Sequence, residues 1–399
     1  MYELSLARKW FMGLVTFTEP GKLEKEGCIV VSSSIKIEGK SYEVWYRIPE
    51  GPVSSANETF LALSLLTAMK TGSTLKISGD VSPKLLGNIP RIQELFHVWD
   101  RSYQNIPVEA GEKDALQSTF SDDREVGCFF TGGVDSFYTL LKHRDEITTL
   151  IYVNGFDVQM DELLLRTEIS QMIRDISNKF QKKLIEIETN LRAFSDNYIS
   201  WSFFHGAALA SIAHLLSPKL KKIYIPASDS YADLFPWGTH PLLDPLWSSE
   251  DTEIVHDGGE ARRLDKILQI SSNDVVLKSL RVCLSSINKS GGVYNCCRCE
   301  KCMRTMVGLR IAGVLEKCTT FKRPLNLGGL ARTELTTEYL PYYRESLEAV
   351  ERLGNDPSLA KALRDVINGK YQHGVWKLYR RLLQKLVLVR NWYRASFGK

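Results

Sequence analysis

The sequence VGCFFTGGVDSFYTLLKH, residues 126–143, constrains the fold more than any other stretch of this chain. Val126 to Phe130 is an apolar run of the length that a buried strand needs. Thr131, Gly132 and Gly133 follow, and Val134, Asp135 and Ser136 open a segment with helical apolar spacing. A strand that passes through a glycine pair into a helix is a ready anion site, because the first-turn amides and the helix dipole favour negative charge. Glycine also lets the backbone approach phosphate oxygens with no Cβ in the way. Ser136 can add a hydroxyl donor, and Asp135 can cap the helix or hold a magnesium ion. The same pattern suits a plain glycine turn between a core strand and a core helix, with Asp135 as its cap. No GxxxxGKS/T occurs, and no GxGxxG follows a strand, so the usual competing phosphate loops are missing.

From residue 124 onward, strand-like and helix-like segments alternate, which predicts a parallel α/β sheet flanked by helices. Strands are expected at 126–130, 149–153, 184–187 and 223–225, with helices at 160–180 and 203–216. Ligands bind beyond the carboxyl ends of such strands, so the loops after 130, 153, 187 and 225 should line one site. His205 can face a ligand or serve as a hydrogen-bonded packing histidine, the commoner case. The stretch from Pro236 to Asp244, rich in glycine, proline and aromatics, reads as a substrate loop in which Trp237 and His240 meet a planar ligand or simply pin the loop. Arg263 and Lys266 share a face of a predicted helix. Such a cation pair can neutralise charge on ligand phosphates, and a solvated helix face is its ordinary explanation.

At 399 residues the chain is long enough for two or three domains. The expected boundaries are an α+β domain at 1–115, the α/β domain at 124–325 and a helical region at 331–399. In the first, Ile35 and Ile37 alternate with their neighbours before Glu38-Gly39-Lys40, as do Tyr42, Val44, Tyr46 and Ile48 after it, which predicts a hairpin. Helices are expected at 57–69 and 90–99, and a strand at 75–77. No catalytic constellation stands out there. The polar segment 109–123 reads as a linker. A net charge of +4 is too small to imply nucleic acid by itself. No apolar run reaches the roughly 18 residues of a membrane-spanning helix. The start MYELSLARKW lacks the layout of a signal peptide, so a cytoplasmic protein is expected.

Cys283, Cys296, Cys299 and Cys302 have the spacing C-x12-C-x2-C-x2-C. Four thiolates from two chain segments suit tetrahedral zinc, and a site filled by four protein ligands is structural. Cys297 could replace Cys296. An iron–sulfur cluster and a reactive thiol remain the alternatives. Cys28, Cys128 and Cys318 read as packing residues.

TGGVDS resembles the SGGxDS signature of the PP-loop ATP pyrophosphatases, with Thr131 keeping the hydroxyl of the first serine. With RVC at 281–283 and NCCRCEKCMRT at 295–305 added, residues 124–325 resemble the 7-cyano-7-deazaguanine synthase family. That resemblance implies an enzyme that adenylates a carboxylate, releasing pyrophosphate, and lets ammonia displace AMP to give an amide. A second activation can give a nitrile. It also implies that Thr131, Gly132, Gly133, Asp135 and Ser136 hold the ATP phosphates and Mg2+. Val153 and Asn154 would then meet adenine, and Cys283, Cys296, Cys299 and Cys302 would hold structural Zn2+. The large N-terminal segment and the loop SDSYADLFPWGTHPLLDP depart from the family's pattern, which points to another acyl substrate, of a small molecule or a protein, and to ammonia or another amine as nucleophile. The alternatives are a PP-loop tRNA sulfur transferase and a non-catalytic nucleotide-binding subunit.

The last thirty residues hold eight Lys or Arg and no Asp or Glu, with Trp376, Tyr379, Leu383 and Trp392 interleaved. A basic amphipathic helix of this kind docks its apolar face on the domain, or grips a membrane surface or nucleic acid. A partner protein or nucleic acid would be met through this tail or through the N-terminal segment.

Overall fold

The computed structural model describes residues 13–49, 51–54, 57–114, 120–121, 123–283 and 294–370. The basic segment 371–399 lies outside the described residues. The chain forms two compact units, Met1–Ala261 and Arg262–Lys399.

The first unit is α/β and is built on one mixed, mostly parallel sheet of eleven strands. Its N-terminal elements are β1 (Leu14–Phe17), β2 (Gly21–Lys25), β3 (Cys28–Ile37), β4 (Lys40–Pro49), α1 (Asn57–Thr71), β5 (Thr74–Val81), α2 (Pro83–Trp99) and β6 (Val108–Glu112). The expected hairpin is β3–β4, in register from Cys28 opposite Pro49 to Ile37 opposite Lys40. Its two-residue turn, Glu38-Gly39, has both φ values positive, at 50° and 75°. That is the turn whose twist matches paired strands. Helix α1 is buried from Glu58 to Met69, as a helix that is apolar on every side must be. Helix α2 begins seven residues before the expected start at Pro90, because Ser82 caps it by accepting from the Leu85 amide and Pro83 occupies the first turn. Gly87 and Pro90 look like breakers in the sequence, but the helix carries both. Part of the expected linker is strand: β6 pairs parallel to β5.

The following elements are β7 (Glu125–Phe129), α3 (Val134–Lys142), β8 (Thr149–Asn154), α4 (Leu163–Phe180), β9 (Lys183–Thr189), α5 (Leu191–Ser195), α6 (Trp201–Leu215), β10 (Leu220–Pro226) and β11 (Glu253–Asp257). The first four strands are the expected ones, and β11 is additional. All five run parallel in the order β11-β10-β7-β8-β9. The chain therefore winds outward from β7 through β8 to β9, then crosses back to the other side of β7 for β10 and β11. All six residues of β8 are buried, as expected of an inner parallel strand covered on both faces.

The residues before 115 and after 124, expected as successive domains, belong to one sheet. Strand β4 pairs antiparallel with β9, Tyr46 opposite Thr189 and Arg47 opposite Glu188. The seam is laced by side chains: the Trp45 amide donates to Asn190 Oδ1 at 3.0 Å, Asn190 Nδ2 donates to the Glu43 carbonyl at 2.7 Å, and Thr189 Oγ1 donates to the Trp45 carbonyl at 2.8 Å. One core runs beneath it, from Val15 and Phe60 to Leu215 and Ile254.

The second unit is helical: α7 (Arg263–Ile270), α8 (Asp274–Ser279), α9 (Glu300–Ile311), α10 (Leu327–Ala331), α11 (Leu340–Leu353) and α12 (Pro357–Ile367). Its apolar centre joins Met303 and Val307 of α9 to Tyr343 and Val350 of α11 and to Leu359 and Leu363 of α12.

Candidate functional sites

The glycine turn joins β7 to α3. Gly132 has φ +73°, a left-handed conformation that glycine adopts without strain. Gly133 is the helix cap, with φ −83° and ψ 171° and no side-chain capping bond among the described residues. Asp135 is therefore not the cap but a first-turn residue. Ser136 is 4% exposed, and its hydroxyl donates to the Gly133 carbonyl at 3.1 Å. Thr131 is exposed. The turn lies at the carboxyl end of β7, beside that of β10, where successive connections leave the sheet in opposite directions. Such switch points are where open α/β sheets bind ligands.

The far end of α3 is fixed to β11. Buried Asp257 accepts from Thr139 Oγ1 at 2.7 Å, Lys142 Nζ at 2.8 Å and His143 Nε2 at 2.8 Å. Burial opposes ionisation of Asp257, and these three donors more than offset it, so its carboxyl sits below the usual range. Glu260 accepts from Tyr138 and Lys142 at 2.9 and 2.5 Å. These bonds hold α3 in a fixed direction behind the turn. At the end of β8, Val153 and Asn154 are 8% and 3% exposed, and Asn154 Oδ1 has no hydrogen-bond partner among the described residues.

A cleft lies beyond β10 and β11, lined by Ser228, Asp229, Trp237, Thr239, His240 and His256. Its loop is built rather than loose. The Gly238 amide donates to the Ser202 carbonyl at 2.8 Å, and a Cβ on Gly206 would lie 1.7 Å from the Gly238 oxygen, so only glycine permits this approach of α6. His205 is the packing histidine expected: Nδ1 bonds the Trp201 carbonyl at 3.0 Å, Nε2 faces Thr239 Oγ1 at 3.4 Å, and the ring meets Trp237 edge-on. His240 stands edge-on to Trp99, and its Nδ1 accepts from the Leu242 amide. Burial, with the neighbouring His256, holds the His240 pKa below its ordinary value.

Sequence reasoning singled out Trp237 and His240 here but missed a pair beside them. Fully buried Asp244 accepts from the His240 amide on Oδ1 at 3.1 Å and contacts His256 Nδ1 with Oδ2 at 2.7 Å. A short 3-10 turn, Asp244–Trp247, carries the aspartate to the end of β11. Nothing in the local sequence marks these two residues as partners.

In the second unit, Cys283, Cys296, Cys299 and Cys302 bring their sulfurs within 4.8 Å of one another. Cys296 Sγ lies 3.9 Å from Cys302 Sγ, and Cys299 Sγ lies 3.7 Å from Cys283 Sγ. A tetrahedron with Zn–S of about 2.3 Å has edges of about 3.8 Å, so the four thiols can hold one metal ion and are compatible with zinc. An iron–sulfur cluster, with several irons and sulfides at its centre, would spread its thiolates farther apart. The choice between adjacent cysteines falls on Cys296: Cys297 has φ +58° and directs its sulfur to the Asn295 carbonyl. Cys299 caps α9 and Cys302 lies in its first turn. Asn295, also missed in the sequence, ties the two ligand segments together. It is 1% exposed, accepts from the Val282 and Cys283 amides at 2.9 and 3.3 Å, and donates to the Leu280 carbonyl and Thr320 Oγ1 at 2.9 and 3.1 Å.

Arg263 and Lys266 do lie on a helix, at the start of α7. They are 7% and 0% exposed, which excludes the solvated-face explanation. No helix among the described residues is long and apolar enough to cross a membrane. Compared with protein-family models, with curated proteins and with solved structures, the chain matches none of them.

Proposed function

We propose that this chain is an AMP-forming enzyme of PP-loop type that adenylates a carboxylate and passes the acyl group to ammonia or another amine, as the 7-cyano-7-deazaguanine synthases do. The observation that carries the reading is the Thr131-Gly132-Gly133 turn at the β7–β10 switch point, entering a helix capped only by glycine. In this reading the turn and the first residues of α3, including Asp135 and Ser136, hold the phosphates and Mg2+. Asn154 Oδ1 is a buried acceptor without a partner among the described residues, and the exocyclic amine of adenine would satisfy it. The substrate carboxylate forms a bond to the α-phosphorus while the bond to pyrophosphate breaks. The amine then forms the C–N bond as AMP leaves. Mg2+ held by Asp135 and Ser136 would supply positive charge beside the pyrophosphate, and the oriented backbone donors of the turn stabilise that leaving group further. Arg263 and Lys266 keep their expected cationic role from the sequence reading alone. Zinc in the cysteine site supports structure.

Three of the four thiols outside that site speak against sulfur transfer. Burial, with the charge of Asp257, raises Cys128, and burial raises Cys297 and Cys318, whereas a transfer thiol needs a lowered pKa. The test follows labelled ATP with Mg2+, ammonia and a small-molecule extract, comparing the wild type with Asp135→Ala. AMP and pyrophosphate that appear only with the wild type, and only with extract, support the reading. Release of ADP and phosphate would refute it.

A further inference from the structure

We propose that Asp244 and His256 form the general base of the cleft beyond β10 and β11, with His256 Nε2 taking the proton of the attacking amine. The inference rests on the adenylation reading and extends it to the second half of the reaction.

The His256 side chain is 6% exposed and that of Asp244 is 0% exposed. A carboxylate can only accept, so the 2.7 Å contact places the imidazole proton on Nδ1. In the neutral ring Nε2 is then a bare acceptor. It is buried and has no partner among the described residues. Asp244 cannot swing away, because its other oxygen accepts from the His240 amide. A packing histidine such as His205 has both nitrogens engaged. His214 also has an unpartnered Nε2, but it is 2% exposed and does not line this cleft. His256 lines the cleft at the carboxyl end of β11, on the ligand-binding side of the sheet. Among the described residues the cluster of three or more metal donors is that of the four cysteines, and His256 is not part of it.

The chemistry balances without a further reagent. The amine nitrogen forms a bond to the acyl carbon, the acyl–oxygen bond breaks, and AMP leaves with that electron pair. The proton from the amine nitrogen passes to Nε2, and Asp244 stabilises the imidazolium. An aspartate behind a histidine plays this part in hydrolytic sites, where it fixes the tautomer and does not itself take the proton.

Two readouts on the full chain test the assignment. The first is the 15N spectrum of histidine-labelled protein. Wild-type His256 is expected to carry its proton on Nδ1. In Asp244→Asn the amide oxygen stays on the His240 amide, which leaves the NH2 group facing Nδ1 and moves the ring proton to Nε2. The second readout compares pyrophosphate–ATP exchange with AMP release driven by methylamine, the probe amine, in the extract that supports AMP formation. In His256→Gln and in the isosteric Asp244→Asn, the ratio of amine-driven release to exchange is expected to fall about 10²-fold. A wild-type proton on Nε2, or an unchanged ratio in both variants with exchange intact, overturns the assignment alone. Absence of exchange in the wild type overturns the adenylation reading and the assignment together.

Discussion

Replacing Asn295 with alanine removes four buried hydrogen bonds in one step. The Thr320 hydroxyl can rotate to another partner. The Val282 and Cys283 amides and the Leu280 carbonyl cannot, because the backbone holds them. Each group left unpaired in the interior costs about 1–3 kcal/mol, so the three together are expected to cost about 3–9 kcal/mol. The two amides belong to the segment that delivers Cys283, so the loss reaches the four-cysteine cluster. Partners behind metal ligands are typically worth about 10–100-fold in affinity, and that is the expected fall in zinc affinity. Asn295→Asp is the informative control. It keeps an acceptor for both amides but sets a second carboxylate oxygen against the Leu280 carbonyl, and it should recover about half the loss. Urea unfolding and competition with a colorimetric chelator measure both quantities. If Asn295→Ala unfolds within about 0.5 kcal/mol of the wild type and releases zinc at the same chelator concentration, Asn295 does not support the site.

Two further outcomes follow from the same geometry. Cys296→Ser should lose stoichiometric zinc by elemental analysis while Cys297→Ser keeps it, and loss from Cys297→Ser instead would reverse the ligand assignment. His214, wholly buried, is held by burial at about 4, with the charge of Glu58 opposing only in part. Its folded pKa lies below its unfolded value, so the stability it contributes is complete above pH about 6.5 and drains away as the pH falls toward 4, at about 1.4 kcal/mol per unit. His214→Gln should flatten that part of the urea-midpoint profile, and parallel profiles for the two proteins would contradict the sign.

The sequence made legible those features whose cause is local. The β3–β4 hairpin follows from alternation and a two-residue turn that ends in glycine. The glycine turn after β7 and the cysteine spacing are equally short-range. Strand β11 was missed because it has only Ile254 and Val255 to mark it, and its place is set by pairing with β10. Strand β6 was hidden by charge: Glu109 and Glu112 suit a sheet edge, where side chains meet water, yet read as linker. Asp244 and His256 lie on different elements, and only the path of the loop between them brings them together. Asn295 was overshadowed by the cysteines beside it. The boundary near residue 115 failed as a structural division because composition changes there while hydrogen bonding continues through β4 and β9.

The β4–β9 seam also sets a clock on synthesis. Trp45 and Thr189 bond across 144 residues of chain. A ribosome adds about 5–20 residues per second, so β4 waits roughly 7–30 s for its partner to emerge. Through that interval the hairpin presents an unpaired edge, which is a template for pairing with another nascent chain. The period of greatest aggregation risk is thus fixed by the rate of translation, and the stability of the finished fold has no bearing on it.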